Sequence, residues 1–176
     1  MQSIPHCANK RVLEVGCGTG AFTKEILKKL QDGDEFHIVE LSSDFCEAVE
    51  KSLLQQFRIE NPSIKVEVHN TPIEGANLEG KFDAIICGLP FNNFPLQVVE
   101  HIFEVMLKNL RPECELAYFE YLGMLKLKRV FGFPSIRRET KQRSRDNVVR
   151  IARYSGSQQT VWRNIPSCRV VRLKGC

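Results

Sequence analysis

The chain has 176 residues, of which 43% are hydrophobic and 26% charged, a composition typical of a globular domain large enough to bury a core. The formal net charge is +4, no window approaches the roughly 18 consecutive apolar residues of a spanning helix, and no signal peptide is visible. These features argue against membrane-spanning and secreted classes. We therefore expect one domain over residues 1–176, acting as a cytoplasmic monomer.

Strand and helix patterns alternate along the chain. In chain order the predicted elements are strand 11–15, helix 21–30, strand 35–39, helix 43–57, strand 64–68, strand 82–87, a helix from Pro95 to about Leu110, strand 113–119, and hairpin strands 160–165 and 169–173. This order predicts an α/β fold with a mostly parallel seven-stranded sheet, helices on both faces and a C-terminal antiparallel hairpin. In the helix after Pro95, we expect Val98, Ile102, Val105 and Met106 to form the buried face.

Cysteine usage favours reduced thiols. The seven cysteines are an odd number and contain no C-x-x-C pair, which argues against a disulfide framework and against a structural zinc site. No metal site is predicted elsewhere either, because His37, His69 and His101 are scattered along the sequence.

The first predicted strand runs straight into a glycine-rich turn at residues 16–20. Glycines lack Cβ atoms, so the backbone can turn sharply and a ligand can lie against the main chain. The second predicted strand ends at Glu40, 24 residues after Gly16, about where a dinucleotide-type fold places an acid on ribose hydroxyls. Because Gly16, Gly18 and Ala21 also fit a G-x-G-x-x-A pattern, NAD is an alternative ligand.

The run Val-Leu-Glu-Val-Gly-Cys-Gly-Thr-Gly at residues 12–20 resembles motif I of the class I S-adenosylmethionine-dependent methyltransferases. The resemblance implies a Rossmann-like sheet and S-adenosyl-L-methionine as cofactor. It implies that Glu14 helps to hold the cofactor's ammonium and that Glu40 takes both ribose hydroxyls. The cofactor-binding residues predicted in this way are Glu14, Gly16, Cys17, Gly18, Thr19, Gly20, Glu40, Leu41, Ser42, Ile73, Glu74, Gly88 and Leu89.

Three features favour this cofactor over NAD. An acid precedes the first glycine, a third glycine stands at position 20, and no second mononucleotide-binding half is evident. Family members usually carry an N-terminal helix over the cofactor; with ten residues before the first predicted strand, we expect that helix to be short or missing here. Relatives often have an acid where this chain has Thr71, which leaves adenine recognition to the backbone or Glu74.

The fourth predicted strand ends in Gly-Leu-Pro-Phe-Asn at residues 88–92, a position that faces the transferable methyl group in this fold. Adenine amino methyltransferases often place Asn or Asp where this chain has Gly88. With Phe119-Glu120-Tyr121 downstream, the run resembles the bacterial soluble-type phospholipid N-methyltransferases, which convert phosphatidylethanolamine toward phosphatidylcholine. Aromatic faces suit methylated ammonium groups, and the candidates for this contact are Phe91, Phe94, Tyr118 and Tyr121. The predicted catalytic residues are Phe91, Asn92, Tyr118 and Tyr121.

A basic segment follows the fifth predicted strand. Residues 124–153 contain ten Lys or Arg and two acids, which predicts a phosphate-bearing partner, either an anionic membrane surface or nucleic acid. The predicted phosphate or membrane contacts are Lys126, Lys128, Arg129, Arg137 and Arg138. The favoured function is phospholipid N-methylation by a peripherally membrane-associated enzyme. The alternatives are a nucleic-acid adenine methyltransferase and a cofactor-binding module without independent activity.

Overall fold

A computed structural model describes residues 4–121, 156–161 and 168–175, together with residues 142, 145, 149, 152 and 153. Its strands are β1 (Arg11–Val15), β2 (Glu35–Val39), β3 (Lys65–His69), β4 (Phe82–Cys87), β5 (Leu110–Tyr121), β6 (Ser157–Val161) and β7 (Cys168–Lys174). Its helices are α1 (Ala21–Leu27), α2 (Ser43–Val49), α3 (Gln55–Glu60) and α4 (Leu96–Lys108), with a π-helical turn at Glu50–Leu54 and 3₁₀ turns at Ile73–Gly75 and Phe91–Asn93.

The described strands form one sheet in the order β3-β2-β1-β4-β5-β7-β6. Strands β1 to β5 run parallel to one another, and β7 lies antiparallel between β5 and β6. The strand order reverses direction between β1 and β4, and in open α/β sheets ligands bind beyond the carboxyl ends of the strands at such a point. The predicted fold class, a mostly parallel seven-stranded sheet with an antiparallel C-terminal pair, is confirmed.

Helices bury apolar side chains on both faces of the sheet. On one face, Ile26 of α1 and Val49 of α2 pack in a cluster with Phe36 and Ile38 of β2. The other face carries α4, whose buried residues Val99, Ile102, Phe103 and Met106 join a cluster with strands β1, β4, β5 and β7. Each large side chain buried in this way contributes about 1.5–3 kcal/mol to the stability of the fold.

The buried face of α4 differs from the predicted one. Ile102 and Met106 are buried as expected, but Val98 is 40% exposed and Val105 is half-buried, whereas Val99 and Phe103 turn inward. The helix is therefore rotated by part of a turn relative to the prediction. Apolar residues on two sides of α4 made either face a candidate for burial in the sequence. In the structure, packing against β4 and β5 buries the face that carries Val99 and Phe103.

Several element boundaries also differ from the predicted ones. Helix α1 ends at Leu27, and the second predicted helix continues to Glu60 through its π-helical turn. Strand β5 begins at Leu110, where the sequence predicted the end of α4, because Phe82 pairs with Leu110 before a register shift. Glu113, at φ 61°, marks that irregularity. Strand β6 begins at Ser157, three residues before the predicted start, and residues 162–167 lie outside the described ranges.

Within the described residues, no helix is long and apolar enough to cross a membrane.

A buried ion pair fixes the beginnings of β1 and β2. Lys10 is 1% exposed, and its ammonium contacts the carboxylate of Asp34, which is fully buried. That carboxylate also accepts backbone N–H groups from Lys10 at 3.0 Å and from Gln31 at 2.7 Å. One carboxylate therefore holds together the start of β1 and the turn that leads into β2.

We predict that Asp34→Ala destabilises the protein by about 3–5 kcal/mol, because it leaves the Lys10 ammonium buried without its partner. Urea unfolding followed by circular dichroism measures the change. Glu25→Ala is the matched control, since the Glu25–Lys28 pair is half exposed at both ends and such pairs contribute little. A loss for Asp34→Ala no larger than that of the control would contradict this role of the buried pair.

Candidate active site

The candidate site lies where the loops after β1 and β4 meet at the carboxyl edge of the sheet. The backbone N–H of Gly16 donates to the Val39 carbonyl at 2.8 Å, and that of Gly88 donates to the Val15 carbonyl at 2.8 Å. A Cβ atom on Gly88 would lie 2.2 Å from the Gly16 carbonyl oxygen, and one on Gly16 would lie 2.5 Å from Leu89 Cδ2. At position 88 any side chain would force the two loops apart, because its Cβ would meet the Gly16 backbone. At position 16 the φ of +77° favours glycine, and a Cβ would also displace the Leu89 side chain.

The glycine loop after β1 presents its main chain to open space. Gly18 has φ +51°, and a Cβ atom built on it would meet nothing within 4 Å. Gly20, at φ +83°, directly precedes α1 in the left-handed conformation. The loop is thus shaped by left-handed glycines, and at Gly18 no part of the described protein occupies the space beside it.

The Glu40 carboxylate links this loop to the start of α2. Its two oxygens accept the backbone N–H groups of Gly18 at 3.0 Å and of Ser42 at 2.9 Å. Glu40 is 9% exposed and lines the cavity described next. Oε2 also lies 3.8 Å from the Cys17 thiol, a weak donor. The carboxylate is therefore oriented by the backbone, and Oε1 retains an acceptor position for a hydroxyl group of a ligand.

A cavity of about 400 Å³ opens beside the loop, within the size range of small-molecule sites. Its walls are mostly apolar, and Glu40 and Glu74 are its acids. Of the residues predicted to bind cofactor, Gly16, Glu40, Leu41, Ser42, Ile73, Glu74 and Leu89 line it. Thr71, Pro72 and Phe94 also line it; Thr71 and Pro72 adjoin Ile73 and Glu74 in the segment expected beside the adenine. The sequence predicted no contact for the remaining lining residues, which are Val15, Val39, Val98 and Ile102.

Two of the lining residues that the sequence missed lie on α4. Val98 and Ile102 reach the cavity because of the way this helix packs on the sheet, which no sequence motif predicts. Phe94 follows the 3₁₀ turn at Phe91–Asn93, and the sequence does not distinguish it from Phe91 as an aromatic contact.

Glu14 lies beneath the glycine loop and not on the cavity wall. It is fully buried, and its Oε2 accepts a hydrogen bond from the Thr23 hydroxyl at 2.8 Å. Its Oε1 has no hydrogen-bond partner among the described residues. Burial, with a smaller repulsion from Glu40, raises the pKa of Glu14 to about 7 despite the Thr23 hydrogen bond. An orphaned acceptor of this kind suits a cationic or N–H group of a ligand.

Two of the predicted catalytic residues lie in the core. Phe91 and Tyr118 are 6% and 2% exposed and pack with Phe103, at ring-centroid distances of 4.9 Å for Phe91–Phe103 and 4.9 Å for Phe103–Tyr118. Neither lines the cavity, which places both beneath the site and not at its surface. Phe103 of α4 packs against both rings, and the catalytic roles predicted for Phe91 and Tyr118 stay predictions.

The remaining predicted residues fall into two groups. Cys17, Thr19 and Gly88 belong to the loops around the cavity without lining it. The side chains of Asn92 and Tyr121 and all of Lys126, Lys128, Arg129, Arg137 and Arg138 lie outside the part of the chain that the structure describes. The predicted roles of these residues stay predictions.

Two histidines that are scattered in the sequence meet in the structure. His37 on β2 and His69 on β3 stack with ring centroids 5.4 Å apart and an interplanar angle of 11°. Burial holds the pKa of His37 below its usual range. The pairing of β2 with β3 brings these side chains together, and a sequence reading without strand register could not show it.

Comparisons with known proteins agree with this architecture. The methyltransferase domain family matches residues 12–113, more than half of the chain. No curated protein is significantly similar to it in sequence.

Among solved structures, the O-methyltransferase TomG from Streptomyces achromogenes, in complex with S-adenosylmethionine, is 12% identical with a TM-score of 0.67, covering 95% of this chain and 74% of TomG. The N-methyltransferase NodS from Bradyrhizobium japonicum is 13% identical with a TM-score of 0.63, covering 98% and 89% of the two chains. An rRNA methylase from Streptococcus thermophilus is 12% identical with a TM-score of 0.63, covering 99% and 90%. At these identities the likeness shows the fold.

We predict that Glu14 makes the ligand-free protein less stable as the pH rises from about 4.5 to about 7. Because its pKa is raised on folding, the folded protein retains this proton after the unfolded chain has lost it, and stability falls through that window. The Glu14→Gln variant lacks this loss, which amounts to about 3 kcal/mol for a shift of this size.

Urea unfolding at several pH values measures the difference between the wild type and Glu14→Gln. Glu79→Gln, at an exposed carboxyl, is the matched control and is expected to follow the wild type. A constant difference between Glu14→Gln and wild type across the window would contradict the assignment.

Proposed function

The chain belongs to the methyltransferase domain family, and we propose that it methylates the amine nitrogen of a phospholipid, phosphatidylethanolamine, at a membrane surface. The cofactor is S-adenosyl-L-methionine, which supplies a methyl group already activated on a sulfonium. The observation that carries the lipid proposal is the apolar cavity with exposed aliphatic side chains at its mouth. The proposal rests on the loops and cavity at the carboxyl edge of the sheet.

The residues around the cavity fit the cofactor. Glu40, oriented by the Gly18 and Ser42 amides, can accept hydrogen bonds from both ribose hydroxyls. The orphaned Oε1 of Glu14, beneath the loop, can accept a hydrogen bond from the ammonium, whose charge would favour the ionised carboxylate. Apolar walls at Val39, Ile73 and Leu89 suit an adenine ring. Bound in this way, the methionine part would lie along the glycine loop.

The mouth of the cavity favours an apolar partner. Leu41 is 70% exposed and Val98 is 40% exposed, and both line the cavity. Large exposed apolar side chains around a site mark contact with another apolar surface. A lipid held at this mouth would cover them and place its headgroup over the cavity.

Gly88 disfavours the nucleic-acid alternative. An Asn or Asp at this position would be needed to pair an adenine amino group, but its Cβ would lie 2.2 Å from the Gly16 carbonyl oxygen. The close approach of the two loops therefore leaves no room for that side chain. An acceptor that needs no such pairing, such as an ethanolamine amine, fits the site better.

The demands on the protein in this reaction are mostly positional. An amine acceptor needs a free lone pair and a straight path to the methyl group, so holding the two in line supplies most of the rate gain. Phe94 lines the cavity at the end of the β4 loop, and its ring is placed to contact a methylated ammonium. We assign this contact to Phe94 in preference to Phe91, which is buried beneath it.

The phosphate of the lipid would require cations. The basic segment at residues 124–153 supplies them in the sequence, and Arg137 and Arg138 can bind a phosphate with paired N–H groups. The same segment would attract an anionic membrane surface.

We predict that Glu40→Gln weakens binding of S-adenosyl-L-methionine by about 1.5–3 kcal/mol, because hydrogen bonds from the ribose to a charged acceptor are lost. Titration calorimetry measures the affinity, and S-adenosylhomocysteine serves as a second ligand that shares the ribose. Glu79→Gln is the control for a general change of charge. Unchanged affinity in a folded Glu40→Gln protein would remove Glu40 from the cofactor site.

We predict that label from methyl-radiolabelled S-adenosyl-L-methionine enters the organic phase after incubation with vesicles of phosphatidylethanolamine and anionic lipid. Charge reversal at Arg137 and Arg138 lowers this transfer, whereas reversal of exposed Lys108, at the end of α4, leaves it unchanged.

Structured RNA incubated in parallel tests the alternative acceptor. Label in the RNA and not in the lipid would overturn the lipid proposal in favour of a nucleic-acid methyltransferase. Cofactor binding without transfer to either acceptor would favour a module that lacks independent activity.

A further inference from the structure

A group of three metal-ligating side chains lies on the sheet outside the cavity. In the parallel register His37 stands directly opposite Glu67, and His69 follows two residues later on the same face of β3. These are the His37, Glu67 and His69 side chains, and one donor atom from each lies within 4.8 Å of the others. They converge because two neighbouring strands present them at adjacent positions.

The spacing of the donor atoms suits a tetrahedral ion. His37 Nδ1 lies 3.1 Å from His69 Nε2 and 3.4 Å from Glu67 Oε2, and His69 Nε2 lies 3.8 Å from Glu67 Oε2. Ligands at about 2.0–2.1 Å from a tetrahedral Zn²⁺ are separated from one another by about 3.3 Å. The three measured separations lie on both sides of this value, so small side-chain movements would allow all three atoms to bind one ion.

Neighbouring charges orient these ligands. The other ring nitrogen of His37, Nε2, lies 3.4 Å from Glu35 Oε2, and Arg11 Nε binds that same oxygen at 2.8 Å. Lys65 Nζ binds Glu67 Oε1 at 2.9 Å. A carboxylate behind a ligating histidine holds its second N–H and directs the lone pair of the first nitrogen to the metal. Glu35 takes that place here.

We propose that His37, Glu67 and His69 bind a Zn²⁺ ion, with the fourth coordination position open to water. Two histidines and a glutamate are a known ligand set for zinc. His37 is 6% exposed at its side chain, whereas His69 and Glu67 are 24% and 40% exposed, so the ion would enter from the side of β3.

Zinc at this position would fix the wall of the cavity. The His69 carbonyl accepts the N–H groups of Glu40 at 3.1 Å and of Thr71 at 3.0 Å. Glu40 and Thr71 both line the cavity. An ion that joins β3 to β2 through the His69 side chain therefore stabilises the strand end from which these two residues are held.

The test is a titration of metal-free, reduced protein with Zn²⁺ by calorimetry, followed by Co²⁺ absorption spectroscopy. We expect one ion per chain, and at least about 10-fold weaker binding in His69→Ala and in Glu67→Gln, since loss of an outer-shell partner alone can cost that much. His6→Ala, at an exposed histidine away from the cluster, is the matched control. Both test variants alter side chains that are partly exposed, so their fold is expected to persist, and circular dichroism without metal checks this.

Three results would overturn the proposal. Equal zinc affinity in wild type, His69→Ala and Glu67→Gln would place the ion elsewhere. Intense thiolate-to-cobalt charge transfer would assign it to the free cysteines. Absence of zinc binding would mean that His37 and His69 are joined only by their mutual hydrogen bond at 3.1 Å.

Discussion

The close approach of the β1 and β4 loops is the constraint on which the site depends. Gly88 lies so near Gly16 that a Cβ atom would come within 2.2 Å of its carbonyl oxygen. Leu89, the next residue, lines the cavity, as does Phe94 further along the chain. The same contact excludes a side-chain amide at position 88. The close approach of the two loops beside the cavity therefore depends on two glycines.

Two carboxylates with different environments complete the site. Glu40 is oriented by the Gly18 and Ser42 amides and lines the cavity, whereas Glu14 is fully buried with one oxygen unpartnered among the described residues. Burial raises the pKa of Glu14 to about 7, a penalty that a bound cation would relieve. The protein thus holds a costly buried acid where the family resemblance places the cofactor's ammonium.

The sequence predicted the architecture well, because the spacing of buried apolar side chains differs between strands and helices. That spacing can be recognised along the chain without knowing the tertiary contacts. The glycine loop and Glu40 were also predictable, since their roles need particular residue types at particular spacings. The positions of Phe91, Tyr118 and Val98 were not, because each depends on the rotation of α4 over the sheet. The His37–His69 pair was missed for a related reason: only the register of β2 on β3 brings the two rings together.

The most direct test of this account is a crystal structure with S-adenosylhomocysteine bound. The account predicts both ribose hydroxyls on the Glu40 carboxylate, the amino group on the side of Glu14, and the adenine between Val39, Ile73 and Leu89. A nucleoside bound elsewhere, or bound in this cavity without contact to Glu40, would contradict the central claim that the β1 loop and the end of β2 form the cofactor site.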